Sequence, residues 1–202
     1  MKRITIAVIA AAAFAFVGTA SAALVPGVFD PGNTGCPVAQ AQNGGWLHLA
    51  KNCATSTNAA AGADITGLSG QSFTSASFTL KSASQCQGGS PRFNIVTTAA
   101  TFFLGCNNVA PVINADGTAT YTFTAATLAA SGQQVPTPTG TITSAAVLID
   151  VQGVADVKNV TVNGIAQKIK NGKHKGNGQG DKHGHHGHHG HHGLRDHDSD
   201  ND

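Results

Sequence analysis

The sequence contains no glutamate; its ten acidic residues are all aspartate. A glycosidase built on a pair of carboxylates would have to draw both from the five scattered aspartates of the body, Asp30, Asp64, Asp116, Asp150 and Asp156. Charge is sparse as well. Twelve Lys and Arg leave a net charge of +2, too small and too evenly spread to form a nucleic-acid groove, so no nucleic-acid partner is expected. Aromatic residues make up 5% of the chain, with one Trp and one Tyr. There is no C-x-x-C pair, no G-x-S-x-G elbow and no phosphate-cradling glycine loop; the nearest string to an elbow, Gly67-Leu68-Ser69-Gly70, lacks the spacing. His48, the lone histidine of the body, has no motif partner. These absences leave no catalytic motif, and the chain reads as a non-enzymatic protein that requires no cofactor.

What is present begins with an export signal. Met1-Lys2-Arg3 forms a positive start, residues 4–17 carry no charge, and Ala20-Ser21-Ala22 supplies a small-residue cleavage site. The apolar run is shorter than the roughly 20 residues that span a bilayer, and no second long one follows. The expectation is a signal peptide over 1–22, a mature chain beginning near Ala23 with no membrane span, and a secreted or periplasmic location.

Export changes the reading of cysteine. Four cysteines, Cys36, Cys53, Cys86 and Cys106, fit two disulfides, and of three possible pairings the favoured one joins sequence neighbours, Cys36 with Cys53 and Cys86 with Cys106. A zinc site is the rival reading, without a motif behind it.

Between residues 23 and 164 the pattern is that of short strands. Ala119, Tyr121, Phe123 and Ala125 alternate with Thr118, Thr120, Thr122 and Thr124. Ala145, Val147, Ile149 and Val151 repeat the period, as does the run around Phe93 and Ile95, with Arg92 and Asn94 on its other side. Further candidates are 46–49, 73–80, 101–104 and 157–162, separated by turn formers such as Gln87-Gly88-Gly89-Ser90-Pro91, Asp116-Gly117 and Asn163-Gly164. No helix is evident. Seven or more strands at this spacing predict an all-β fold, an antiparallel β-sandwich of jelly-roll-like kind, with a core of Phe73, Phe78, Phe93, Phe102, Phe103, Phe123 and the late valines. Tyr121 belongs to that core by its register; Trp46 is either a half-buried strand residue or a platform for a sugar ring.

The segment from Asp156 to Gly164, Asp-Val-Lys-Asn-Val-Thr-Val-Asn-Gly, resembles the closing strand pair of galactose-binding-like jelly rolls, which include many carbohydrate-binding modules. Lys158-Asn159 stands where that ending has Asp-Asn. The resemblance implies a β-sandwich and carries no ligand residue onto this chain.

From residue 165 onward apolar residues almost vanish. The stretch 165–202 is expected to be a disordered, basic and histidine-rich tail. Lys168, Lys170, Lys173, Lys175 and Lys182 lead into His183, His185, His186, His188, His189, His191 and His192, spaced by glycines. Neutral imidazoles on a pliable backbone suit Ni, Zn, Cu or Co ions, with affinity falling as pH drops below about 6.5 and selectivity set by the metals themselves. Two functions follow as expectations. One is a secreted protein whose tail binds or buffers divalent transition metal. The other is a module whose sandwich binds polysaccharide or a cell-surface polymer, with the tail accessory.

Overall fold

The computed structural model describes residues 22–133 and 135–170. The chain divides into two units, 1–172 and 173–202, and every described residue belongs to the first. In chain order its strands are β1 (Ala23–Phe29), β2 (Pro37–Gln42), β3 (Trp46–Lys51), β4 (Ala60–Ile65), β5 (Ser75–Leu80), β6 (Arg92–Thr97), β7 (Thr101–Gly105), β8 (Val112–Ile113) and β9 (Ala119–Thr124). A short helix, α1 (Ala125–Ala130), precedes β10 (Ile142–Ile149), β11 (Gly153–Val162), β12 (Ile165–Ala166) and β13 (Lys168–Ile169).

Two sheets result. The first runs β13-β1-β4-β10-β6-β7, and the second β2-β3-β11-β5-β9-β8 with β12 beside β11. All pairings are antiparallel except the two-residue parallel contact of β13 with β1. The fold is therefore an all-β sandwich, as the alternation predicts. Leu47 and Leu49 of β3, Ala76, Phe78 and Leu80 of β5, and Tyr121 and Phe123 of β9 turn inward against Phe93 and Ile95 of β6 and Val147 and Ile149 of β10, all buried in one cluster. Phe78 sits at its centre, with ring centroids 5.4 Å from Phe93, 5.4 Å from Tyr121 and 5.7 Å from Phe123. The contact between Phe78 and Phe93 crosses from one sheet to the other, so the aromatic cluster is what joins the layers.

Both disulfides form as favoured, Cys36 with Cys53 and Cys86 with Cys106. The second ties Cys86 to Cys106 at the end of β7, and Cys86 leads into a hairpin turn in which Gln87 and Ser90 exchange backbone hydrogen bonds of 2.9 Å each way. Gly88 and Gly89 occupy its two corners at φ 57° and 82°, the left-handed pair that a type I′ turn requires.

Several sequence expectations are corrected. Phe103 is 54% exposed while Phe102 is buried, because neighbours on a strand point to opposite faces and only one can enter the core. The α1 turn was not anticipated. Thr124 and Thr127 cap it reciprocally, the Thr127 amide donating to Thr124 Oγ1 at 3.1 Å and the Thr124 amide to Thr127 Oγ1 at 2.9 Å, while Leu128 anchors it in the core. Strands β1, β2 and β4 were also missed; their Ala, Gly, Pro and Gln residues give no clear alternation. Asp156, just outside the strand expected over 157–162, lies within β11. Strands β12 and β13 extend the ordered body beyond Gly164, the boundary expected from composition, as far as Ile169. Among the described residues no helix is long and apolar enough to cross a membrane. Apart from Ala22, the leader expected over 1–22 lies outside the described residues, as does the tail beyond Lys170.

Candidate functional site

A groove crosses the outer face of the first sheet. Its floor follows from strand register. Gly27 of β1 opposes Gly62 of β4, Gly62 opposes Leu148 of β10, and Leu148 opposes Arg92 of β6. Glycine is required at the centre: a Cβ on Gly62 would lie 2.6 Å from the Val147 carbonyl oxygen and 2.7 Å from Leu148 Cβ, so any side chain would push β10 away and lift the floor. Phe29, at the end of β1 and 56% exposed, stands on one side. The loop Thr55–Asn58 closes one end, beside Arg92, Asn94 and Asp150.

The polar groups here are fixed before any ligand arrives. Arg92 Nη1 lies 2.6 Å from Asp150 Oδ2 and Arg92 Nε donates to Asn94 Oδ1 at 2.9 Å. Ser90, itself buried, donates its hydroxyl to Asp150 Oδ1 at 2.8 Å. The guanidinium also lies over Phe103, 5.0 Å from the ring centroid. Arg92 has five N–H donors and two are committed to this network, so the array retains hydrogen-bonding capacity while its charge is balanced by Asp150. An apolar ring surface beside rigid, charge-neutralised polar groups can hold a ligand that has both an apolar face and a hydroxylated rim.

The loop wall is held from beneath. Lys51, at the end of β3, is 1% exposed and donates through Nζ to the carbonyl oxygens of Thr55 at 3.0 Å, Thr57 at 2.7 Å and Asp150 at 2.8 Å. The Gln152 amide donates to Thr55 Oγ1 at 3.0 Å, and the Cys36–Cys53 bridge pins the loop's start.

The residues singled out in the sequence lie on the other sheet. Trp46 and His48 project from β3, and Asp156 of β11 faces His48 across the strand pair. His48 Nδ1 is 2.9 Å from Asp156 Oδ1; Lys81 Nζ at 3.2 Å and Gln85 Nε2 at 3.2 Å reach Oδ2. Burial of Asp156 works to raise its pKa, but the hydrogen bonds from His48, Lys81 and Gln85 outweigh it and hold the carboxyl below the ordinary aspartate value. Among the described residues no hydroxyl or thiol is hydrogen-bonded to His48. Trp46 does not offer a bare platform. The ammonium groups of Lys158 and Lys81 lie 4.3 and 5.2 Å from its ring centroid. Elsewhere on this sheet hydroxyls are spent internally, Thr79 with Thr120 at 3.0 Å and Ser77 with Thr161 at 2.8 Å.

Sequence reasoning placed Arg92 and Asn94 on the outward side of their strand but missed Phe29, Asp150 and Lys51 as parts of one site. The inward register of Lys51 with Leu47 and Leu49 was the available signal. The metal-ligating candidates His183, His185, His186, His188, His189, His191 and His192 lie outside the described residues, and among the described ones no cluster of three or more His, Cys, Asp or Glu forms a metal site. Compared with protein-family models, with curated proteins and with solved structures, the chain matches none.

Proposed function

We propose that this is an exported, non-enzymatic binding protein whose sandwich holds a polysaccharide or cell-surface polymer in the groove of the first sheet. The observation that carries this is the exposed Phe29 ring lining the same groove as the prefixed Arg92–Asn94–Asp150 array. A pyranose has an apolar face of C–H groups and a rim of hydroxyls, which is the chemistry such a groove matches. The test is a pull-down of the full mature chain on insoluble polysaccharides of differing linkage, followed by titration with soluble oligosaccharides of any that retain it. Retention on at least one is expected; retention on none refutes the reading.

A second reading concerns the tail and rests on seven histidines between residues 183 and 192. Imidazoles at that density chelate Ni, Zn, Cu or Co without a preformed site. Equilibrium dialysis against Ni(II) should load several ions per chain and none on a chain truncated after Gly172. Equal uptake by both would sink it.

A further inference from the structure

Lys51 is an anomaly of burial. It shares the inward register of Leu47 and Leu49, at the end of a strand in the second sheet, and is 1% exposed. An ammonium taken out of water is costly unless its charge and all of its donors are met. Among the described residues no carboxylate meets this one. Asp150 offers its backbone carbonyl, while its side-chain oxygens are engaged by Ser90 and Arg92. The three N–H donors instead go to three carbonyl oxygens at 2.7, 2.8 and 3.0 Å, those of Thr57, Asp150 and Thr55. A cage of backbone carbonyls around a single positive charge is the arrangement that loops adopt around a bound cation. Here the cation is covalently part of the chain.

The three residues that supply those oxygens all line the groove, and they come from both layers. Thr55 and Thr57 belong to the loop after β3; Asp150 follows β10 in the opposite sheet. Lys51 thus passes from one layer to the other and draws the loop wall of the groove against the strand end that carries Asp150. We infer that Lys51 is the positioning residue of this groove, its ammonium standing in for a structural cation. The wall is therefore set without a divalent ion, and ligand binding by the sandwich is independent of metal held by the tail. This rests on the groove being the ligand site, and the experiment separates the two claims.

Lys51→Ala in the full mature chain removes three methylenes and the ammonium, which n-propylammonium chloride supplies from solution. Without the additive, affinity for the retained oligosaccharide should fall by about tenfold or more, and the amides of residues 55–58 should exchange with solvent faster, while those of β6 stay protected. n-Propylammonium should restore both affinity and loop protection; 1-propanol, of similar size and uncharged, should restore neither. EDTA should leave the wild-type affinity unchanged. Unaltered affinity in Lys51→Ala, rescue of thermal stability without rescue of affinity, equal rescue by 1-propanol, or loss of wild-type affinity in EDTA would each overturn the proposal. Where Lys51→Ala does not fold, nitrogen-15 NMR of wild-type lysine ammonium groups decides: one slowly exchanging ammonium is expected, and its absence refutes the cage. Should the wild type bind no saccharide, the groove reading fails, while loop exchange and ammonium rescue still judge the role of Lys51.

Discussion

Phe29→Ala isolates the contribution of the groove's aromatic wall. A phenylalanine carries about 200 Å² of surface, so at 56% exposure roughly 110 Å² of Phe29 faces solvent. A sugar ring stacked on one side would cover about half of that, and ~55 Å² at ~25 cal/mol per Å² amounts to about 1.4 kcal/mol, a tenfold loss of affinity. The same exposure means that little native packing is lost, so unfolding free energy should move by no more than about 0.5 kcal/mol. Calorimetric titration of an oligosaccharide into wild type and variant, with urea unfolding of both, measures the two quantities on one pair of proteins. A dissociation constant within twofold of wild type would refute the stacking argument. A loss of more than about 2 kcal/mol in unfolding free energy would refute it differently, by showing that Phe29 belongs to the packing.

The fold was more legible than the site, for physical reasons. Strands β6, β9 and β10 alternate cleanly because each is covered on one face only, and their hydrophobic residues locate the core unaided. β1 and β4 have their alternation broken by Pro26, Gly27, Gly62 and the small alanines; what makes them strands is the ladder supplied by neighbours distant in the chain, which no local pattern records. Phe102-Phe103 shows the same limit at one dipeptide, where two equal side chains compete for one inward position. Disulfide pairing was legible because short loops between neighbouring cysteines are the easiest to close. The groove was not. Phe29 and Arg92 are separated by two intervening strands of the sheet, and nothing but the lateral order β1-β4-β10-β6 places them on one surface. Lys51 carried a signal, since a charge in an inward register must be satisfied, but its three partners are backbone carbonyls that a sequence does not mark.

Three further perturbations test the packing and electrostatics on which the site depends. Phe78→Ala, which empties the centre of the aromatic cluster joining the sheets, should cost about 3–5 kcal/mol in chemical denaturation; a cost below about 1 kcal/mol would mean that the cluster does not join the layers. Replacing Cys86 and Cys106 together with alanine opens a loop of sequence separation 20, and the chain-entropy relation gives a loss of about 3 kcal/mol. An unchanged urea midpoint would contradict it. Asp156→Asn should change the acid limb of the stability profile. Its carboxyl is held below 3.8 in the folded protein, so the unfolded chain binds the proton first as pH falls. The stabilisation is complete above about pH 4 and is lost as pH falls through the lower, folded value. The asparagine variant should therefore be less stable near neutrality and show a shallower decline below about pH 4, the residual slope coming from Asp30 and Asp116, whose carboxyls also lie low. An acid limb as steep as that of the wild type would show that the bonds from His48, Lys81 and Gln85 do not outweigh the burial of Asp156.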